Sequence, residues 1–283
     1  MPTVTGTNIL IPTTVSIHLR EGENRTNWRS VAIAKGLENY GIKVKYCSRA
    51  IEPRDDLCIQ TGFSRSAALS GAISRGIPFI IMEEPVFRGF QPNTISWGYN
   101  GLAGGAFRPE PLDDLRPAPR LRKAGDGPDL IIGQKPTDHS LRGEDHIAWL
   151  KSMQEEYPEA ELRHHPLMVP TEDTIEDALA RSGDVHLWNS TVCVDALVAG
   201  NVTHVYGPGA EWDGIEDREK ALHRLSYAQF QEAELWKPET IEYILSGYEE
   251  ACNRAPEIPR EKVDGRAICE QYYRTLGKAQ HGD

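Results

Sequence analysis

The chain has 283 residues, with 31 Lys and Arg against 42 Asp and Glu, for a net charge of −11. At 26% charged and 39% hydrophobic residues it has a globular makeup, which sets aside disorder, collagen and coiled coil. Its acidity argues against a non-specific nucleic-acid coat, which needs a net basic face.

Length allows one or two domains. Five cysteines (Cys47, Cys58, Cys193, Cys252 and Cys269) are scattered and form no C-x-x-C. A disulfide framework or zinc ribbon is therefore not expected, and a reducing cytosol fits. The opening MPTVTGTNILIPT lacks the cationic start and apolar core of a signal peptide. No apolar run approaches the ~18 residues of a membrane span, so no membrane partner is expected.

In chain order, the first half predicts a strand over Thr7–Ile11 and a helix over Asn24–Asn39, stopped by Gly41. Strands over Ile42–Cys47 and Leu57–Ile59 follow, then a helix over Ser64–Arg75 and a buried strand over Ile77–Met82. Arg108–Pro128, rich in Pro and Arg and without periodicity, reads as a linker. The second half predicts strands at Asp129–Ile132, Glu161–Arg163, Asp184–Trp188 and Val202–Val205. Helices are expected over Glu144–Glu156, Thr191–Ala199, Asp217–Leu235, Pro238–Arg254 and Val263–Leu276. Strand–helix alternation in both halves argues for an α/β fold with parallel sheets.

The chain has no P-loop, no G-x-G-x-x-G after a strand, no G-x-S-x-G elbow and no H-E-x-x-H. Four segments carry polar groups at predicted strand carboxyl ends, where open α/β sheets place ligands. In Trp188-Asn189-Ser190-Thr191-Val192 a strand leads into a helix whose start favours an anion; the plainer reading is that Asn189 or Ser190 caps the helix. In Arg163-His164-His165-Pro166 the proline fixes an extended residue before it, and the histidine can donate to a phosphate or simply pack on the surface. Gly133-Gln134-Lys135-Pro136-Thr137-Asp138-His139-Ser140 faces the same cleft, or forms a turn capped by Asp138. In Met82-Glu83-Glu84-Pro85 a carboxylate can act as general base, its neighbour raising its pKa, or the two can be a solvated pair. Just after, Trp97-Gly98-Tyr99-Asn100-Gly101 reads as a loop on which a base or sugar stacks, or as a tight turn. Glu211-Trp212-Asp213 matches an acid-x-acid metal pattern, but such triplets are common by chance and no metal site is expected.

A strand, an HP pair, a strand with an Asn-Ser-Thr helix start and acid-Ala-Leu-x-x-Gly (from Asp195) together resemble the donor domain of GT-B glycosyltransferases. The nearest analogues carry an HP motif and a Ser/Thr motif, as in bacterial sialyltransferases and capsule polysaccharide transferases. The wider set MEE…FRG, ISWGYNGLAGGAF, IIGQKPTDHSL, LRHHPL, WNSTVCVDALVAG and HRLSYAQFQEAEL resembles a family of bacteriophage glycosyltransferase-like proteins over roughly residues 78–237. It departs from that family at Glu84-Pro85-Val86. The family is similar in architecture to phage DNA glucosyltransferases, which act on hydroxymethylated pyrimidines.

The resemblance implies a GT-B-like fold with two Rossmann-like domains whose parallel sheets face an interdomain cleft. Residues 1–107 would form the acceptor side, 108–128 the linker and 129–237 the donor domain, with helices of 238–283 packing back on the first domain. It implies a glycosyltransferase using a nucleotide sugar, foremost a UDP-sugar, with no cofactor required. Donor residues would be Gly133, Gln134, His165, Asn189, Ser190, Thr191 and Asp195; Glu83 or Glu84 the base; and Arg88, Trp97, Tyr99 and Asn100 the acceptor side. The acceptor would be a hydroxyl, with double-stranded DNA carrying 5-hydroxymethylpyrimidine one choice in the host cytoplasm and Arg108, Arg116, Arg120, Arg122 and Lys123 as its basic track. Alternatives are a capsule, lipid or small-molecule acceptor, or an inactive nucleotide-binding module.

Overall fold

The computed structural model describes residues 10–18, 24–47, 55–63, 66–87, 93–102, 106–111, 116–141, 144–207, 217–258 and 264–276. In the first part, strand β1 (Thr14–His18) is followed by helix α1 (Asn24–Tyr40), β2 (Lys43–Cys47), β3 (Leu57–Thr61), α2 (Ala67–Arg75), β4 (Phe79–Glu83) and β5 (Thr94–Tyr99). Ser66 caps α2 by accepting from the Leu69 N–H, and Gly76, at φ 65°, closes it in the left-handed conformation. The second part runs β6 (Leu130–Ile132), α3 (His146–Glu156), β7 (Glu161–Arg163), α4 (Ile175–Arg181), β8 (Val185–Leu187), α5 (Val192–Ala199) and β9 (Thr203–Val205). Then come α6 (Arg218–Ser226), β10 (Gln229–Gln231), α7 (Glu232–Leu235), α8 (Pro238–Ser246), α9 (Tyr248–Asn253) and α10 (Gly265–Thr275).

The fold is α/β with two sheets. The first has order β10-β5-β4-β3-β1-β2, parallel from β4 through β2, with β5 and β10 added antiparallel. The second, β7-β6-β8-β9, is parallel throughout. In both, the chain leaves its first strand to one side and then crosses to the other, the topology that opens a crevice at the strand carboxyl ends. The fully buried strands β3 and β6 carry, over Leu57–Ile59 and Leu130–Ile132, the continuous apolar runs of sheets covered on both faces. Among the described residues no helix is long and apolar enough to cross a membrane.

Several expectations are corrected. The first strand is Thr14–His18; Leu10 and Ile11 lie outside any strand and are exposed, and Thr7–Ile9 fall outside the described residues. The Asp56 carboxylate sets the start of this strand by accepting from the Thr13 and Thr14 N–H groups at 2.8 and 3.0 Å. The expected helix over Asp217–Leu235 is broken by β10, whose backbone satisfies the outer edge of β5. The expected helix over Pro238–Arg254 is two, divided at Gly247, where a Cβ would press on Pro109, Phe107 and Tyr99 at 3.0–3.2 Å. Helix α4 was not expected; the Thr174–Asp177 capping box starts it.

Helices α8 and α9 bury Ile241, Tyr243, Ile244, Tyr248 and Ala251 in the core of the first sheet. Helix α10 does not join them: Tyr272 and Leu276 pack with Ile131, Ile147, Leu150 and Met153 on the second sheet. The stretch read as a linker is packed as well. Arg116 donates to the Ser226 and Gln229 carbonyls and pairs with Glu234, with its guanidinium 4.5 Å over Phe230. Arg116 is thereby removed from any basic track.

Helix α1 crosses α7 so closely that a Cβ on Gly36 would collide with the Leu235 carbonyl and lie 2.7 Å from Ile241 Cδ1. Gly36→Ala is expected to destabilise the fold by about 1–3 kcal/mol, the usual range for overpacking. Urea unfolding measures it, and an unchanged midpoint would contradict this approach of the helices.

Candidate functional site

The second sheet crosses over between β6 and β8, and the loops after these two strands are tied together. The Gln134 amide donates to Asn189 Oδ1 at 3.0 Å, and the Asn189 N–H returns a bond to Gln134 Oε1 at 3.0 Å. Asn189 Nδ2 also donates to the Ser140 carbonyl at 2.8 Å. Behind them, the Gln134 N–H donates to His146 Nε2 at 2.7 Å. Burial lowers the His146 pKa to about 4, so its ring is neutral and its Nε2 accepts. Gln134 and Asn189 border the cavity described below, but these bonds engage both carboxamides, which fix the loop more than they offer donors. Gly133 is not on the cavity wall; a Cβ there would sit 3.3 Å from the Arg163 carbonyl and His164 Cα, so it lets the β6 and β7 ends meet.

This staple presents Ser190 and Thr191 at the head of α5. Ser190 Oγ accepts from the Val192 N–H at 3.3 Å, while Thr191 occupies the N-cap position without a side-chain cap bond. The capping and anion readings are compatible, because a hydroxyl that accepts from the helix still has its own proton to donate. Beside them, His165 Nδ1 accepts from the Leu167 N–H at 3.1 Å. The neutral ring therefore carries its proton on Nε2, as a donor. His164 points the other way, its Nδ1 bonded to the Tyr272 hydroxyl, and burial lowers its pKa.

The facing wall comes from the first sheet. Glu83 ends β4, and its Oε1 accepts from the Phe63 N–H at 2.8 Å. Its pKa is raised, chiefly by burial and also by Asp138 and Glu84, against lowering by the Phe63 N–H and Arg29. Glu84 differs: Arg29, 8% exposed, donates to its carboxylate, and the Glu84 side chain is 79% exposed.

Glu83, Glu84, Gln134, His165, Asn189, Ser190 and Thr191 border one cavity of about 310 Å³. Its size fits a small-molecule site, where pockets run roughly 300–1,000 Å³ with a few polar groups on a largely apolar wall. Ser96, Arg108, Lys135, Asp138, Ser140 and Cys193 border it too. Of these, Lys135, Asp138 and Ser140 belong to the loop after β6; Ser96 and Arg108 reach the cavity from around β5, where from Trp97 on the sequence reads as a loop or a tight turn. His146 carries no sequence signal at all, lying at the start of α3 with no motif around it.

Other expected residues are not brought here. Asp195 borders a separate groove of about 180 Å³ with Arg122, Lys123 and Glu176, because the cavity meets the head of α5 and not its side. Trp97 and Tyr99 are 2% and 0% exposed, within the first core. The Trp97 indole N–H donates to the Tyr227 carbonyl and the Tyr99 hydroxyl to the Ile244 carbonyl, so neither ring offers a face to a ligand. Asn100, at φ 56°, is a structural clasp: its side chain accepts from the Phe79 N–H and donates to the Ala251 carbonyl. Arg88 and Glu211-Trp212-Asp213 lie outside the described residues. Among the described residues, no group of three or more His, Cys, Asp or Glu side chains is arranged to hold a metal ion. No protein-family model matches the chain, and no curated protein is significantly similar to it.

Proposed function

We propose that the protein is a glycosyltransferase of GT-B-like arrangement that moves a sugar from a nucleotide sugar, foremost a UDP-sugar, to a hydroxyl acceptor. One observation carries this reading: a single cavity sets the half-buried carboxylate Glu83 across from His165, Ser190 and Thr191. Glu83 is the base in this scheme, because Glu84 is held by Arg29. The Glu83 carboxylate takes the acceptor proton as the acceptor oxygen bonds to the sugar's anomeric carbon. The bond from that carbon to the donor phosphate breaks, and its electron pair leaves with the nucleotide. The His165 Nε2–H, the two hydroxyls and the head of α5 stabilise that charge.

On the acceptor side, a small hydroxylated molecule is favoured over DNA. Three carboxylates, Glu83, Glu84 and Asp138, border the cavity, and Arg116 is engaged by Glu234 and backbone carbonyls. Lys135 and Arg108 also border the cavity, enough for a nucleotide's phosphates but short of the extended basic track a DNA backbone needs.

The test is a thermal-shift panel of UDP, CMP, CDP, GDP and dTDP, with and without Mg²⁺. Ligand at 100 times its Kd stabilises by about 2.7 kcal/mol, and each kcal/mol moves Tm by roughly 2–4 °C in chains of 150–250 residues. One nucleotide is expected to shift Tm by several degrees, and the shift to vanish in Ser190→Ala/His165→Ala. No shift with any of them would overturn the donor site.

A further inference from the structure

The loop that carries His165 is held from two sides. Toward β6, the Gly133 N–H donates to the Arg163 carbonyl at 2.8 Å, and a Cβ at Gly133 would fit only tightly, 3.3 Å from the Arg163 carbonyl and His164 Cα. On the other side lies α10. Its Tyr272 hydroxyl bonds His164 Nδ1, and its Tyr273 hydroxyl donates to the Met168 carbonyl at 2.8 Å. Burial raises the Tyr272 pKa and lowers that of His164, so a neutral hydroxyl meets a neutral imidazole. Between these two anchors, the Met168 and Val169 N–H groups fold back onto the His165 carbonyl at 2.7 and 3.1 Å, and the Leu167 N–H fixes the ring. His165 thus sits in a turn whose neighbours on both flanks are fastened to one helix.

The chain ahead of α10 is fastened to the facing wall. The Glu257 N–H donates to the Asn100 carbonyl at 2.7 Å, and the Leu102 N–H donates to the Glu257 carboxylate at 3.0 Å. Leu102 borders the cavity. At its own start α10 meets the loop after β6, where a Cβ on Gly265 would lie 3.3 Å from the Thr137 methyl. The C-terminal segment therefore touches both walls.

We infer that α10 is the positioning element of the His165 loop: Tyr272 and Tyr273 fix it, so that a nucleotide phosphate held at His165 and the docking of α10 stabilise each other. This rests on His165 as a phosphate ligand. The coupling is reciprocal: whatever α10 contributes to nucleotide affinity, the nucleotide returns as protection of α10.

The test is Tyr272→Phe/Tyr273→Phe, which keeps both rings and removes both hydroxyls. Hydrogen exchange without ligand is expected to quicken in residues 164–169 by roughly tenfold, each lost bond contributing on the order of a few-fold, while β8 keeps its wild-type rate. UDP, with CDP, GDP, dTDP and CMP in parallel, is expected to bind the variant about fivefold or more weakly. Nucleotide is expected to slow exchange in residues 265–276 of the wild type and not of the variant. Equal quickening of 164–169 and β8, or wild-type affinity in the variant, overturns the inference. Wild-type protein that binds none of the five overturns the phosphate reading and the ligand half of this inference with it; the ligand-free exchange then decides the clamp alone.

Discussion

Glu83→Gln is expected to lower sugar transfer by about 10²–10⁴-fold, the usual contribution of a positioned general base, with nucleotide affinity unchanged. The substitution keeps an oxygen to accept from the Phe63 N–H and removes only the charge. The pH dependence gives the prediction its sign. The Glu83 pKa is raised, mainly by burial, so turnover falls on the acid side as the carboxylate takes up its proton above the ordinary carboxylate range. Glu84→Gln acts on the same limb in the opposite sense. It removes a like charge that raises the Glu83 pKa and frees Arg29, which lowers it, so the acid limb moves to lower pH.

Stability separates this from a folding defect. A carboxylate whose folded pKa lies above its unfolded pKa holds its proton longer in the native state, so its contribution weakens as pH rises through that window. At neutral pH Glu83 is a burden on the fold, and Glu83→Gln is expected to unfold at a Tm no lower than the wild type. A variant that is inactive and unweakened points to chemistry. Wild-type turnover in Glu83→Gln would remove Glu83 from the reaction.

The cavity was legible in sequence as four segments at predicted strand ends, because a parallel sheet gathers those ends on one side. Seven of the nine residues expected to serve as base or donor ligands border one cavity. What the sequence hid was their division of labour. Gln134 and Asn189 look like ligand donors until the distances show them bonded to each other, and Glu83 and Glu84 are adjacent letters that only Arg29 and Phe63 tell apart. The antiparallel edge was hidden for another reason. β5 pairs with β10 across more than a hundred residues, Ser96 opposite Gln229, and no local signal announces that partner. The alternation of Ile95, Trp97 and Tyr99 was present, but the glycines around it suggested a loop. Helix α10 could not be placed by amphipathicity, which gives a buried face and not the sheet that buries it.

Trp97→Ala is expected to destabilise the fold by about 3–5 kcal/mol, the range for truncating a large buried aromatic. The indole lies between Tyr99 and Tyr243, edge-on at 5.8 and 5.9 Å, and Phe230, stacked at 6.3 Å. Two of those rings are on β5 and β10, and the third is on α8, so one side chain joins the antiparallel edge to the helix that covers it. Truncation also leaves the Tyr227 carbonyl without its indole donor. Trp97→Phe keeps most of the ring contact but not the N–H, and its expected loss is smaller, about 1–3 kcal/mol, from an unsatisfied carbonyl and an underfilled site. Urea unfolding of both variants measures the order. A sugar or base stacked on Trp97 calls for the reverse pattern: Trp97→Ala as stable as the wild type, nucleotide binding intact, and only acceptor affinity lost. That result would take Trp97 out of the core and put it back on the acceptor wall.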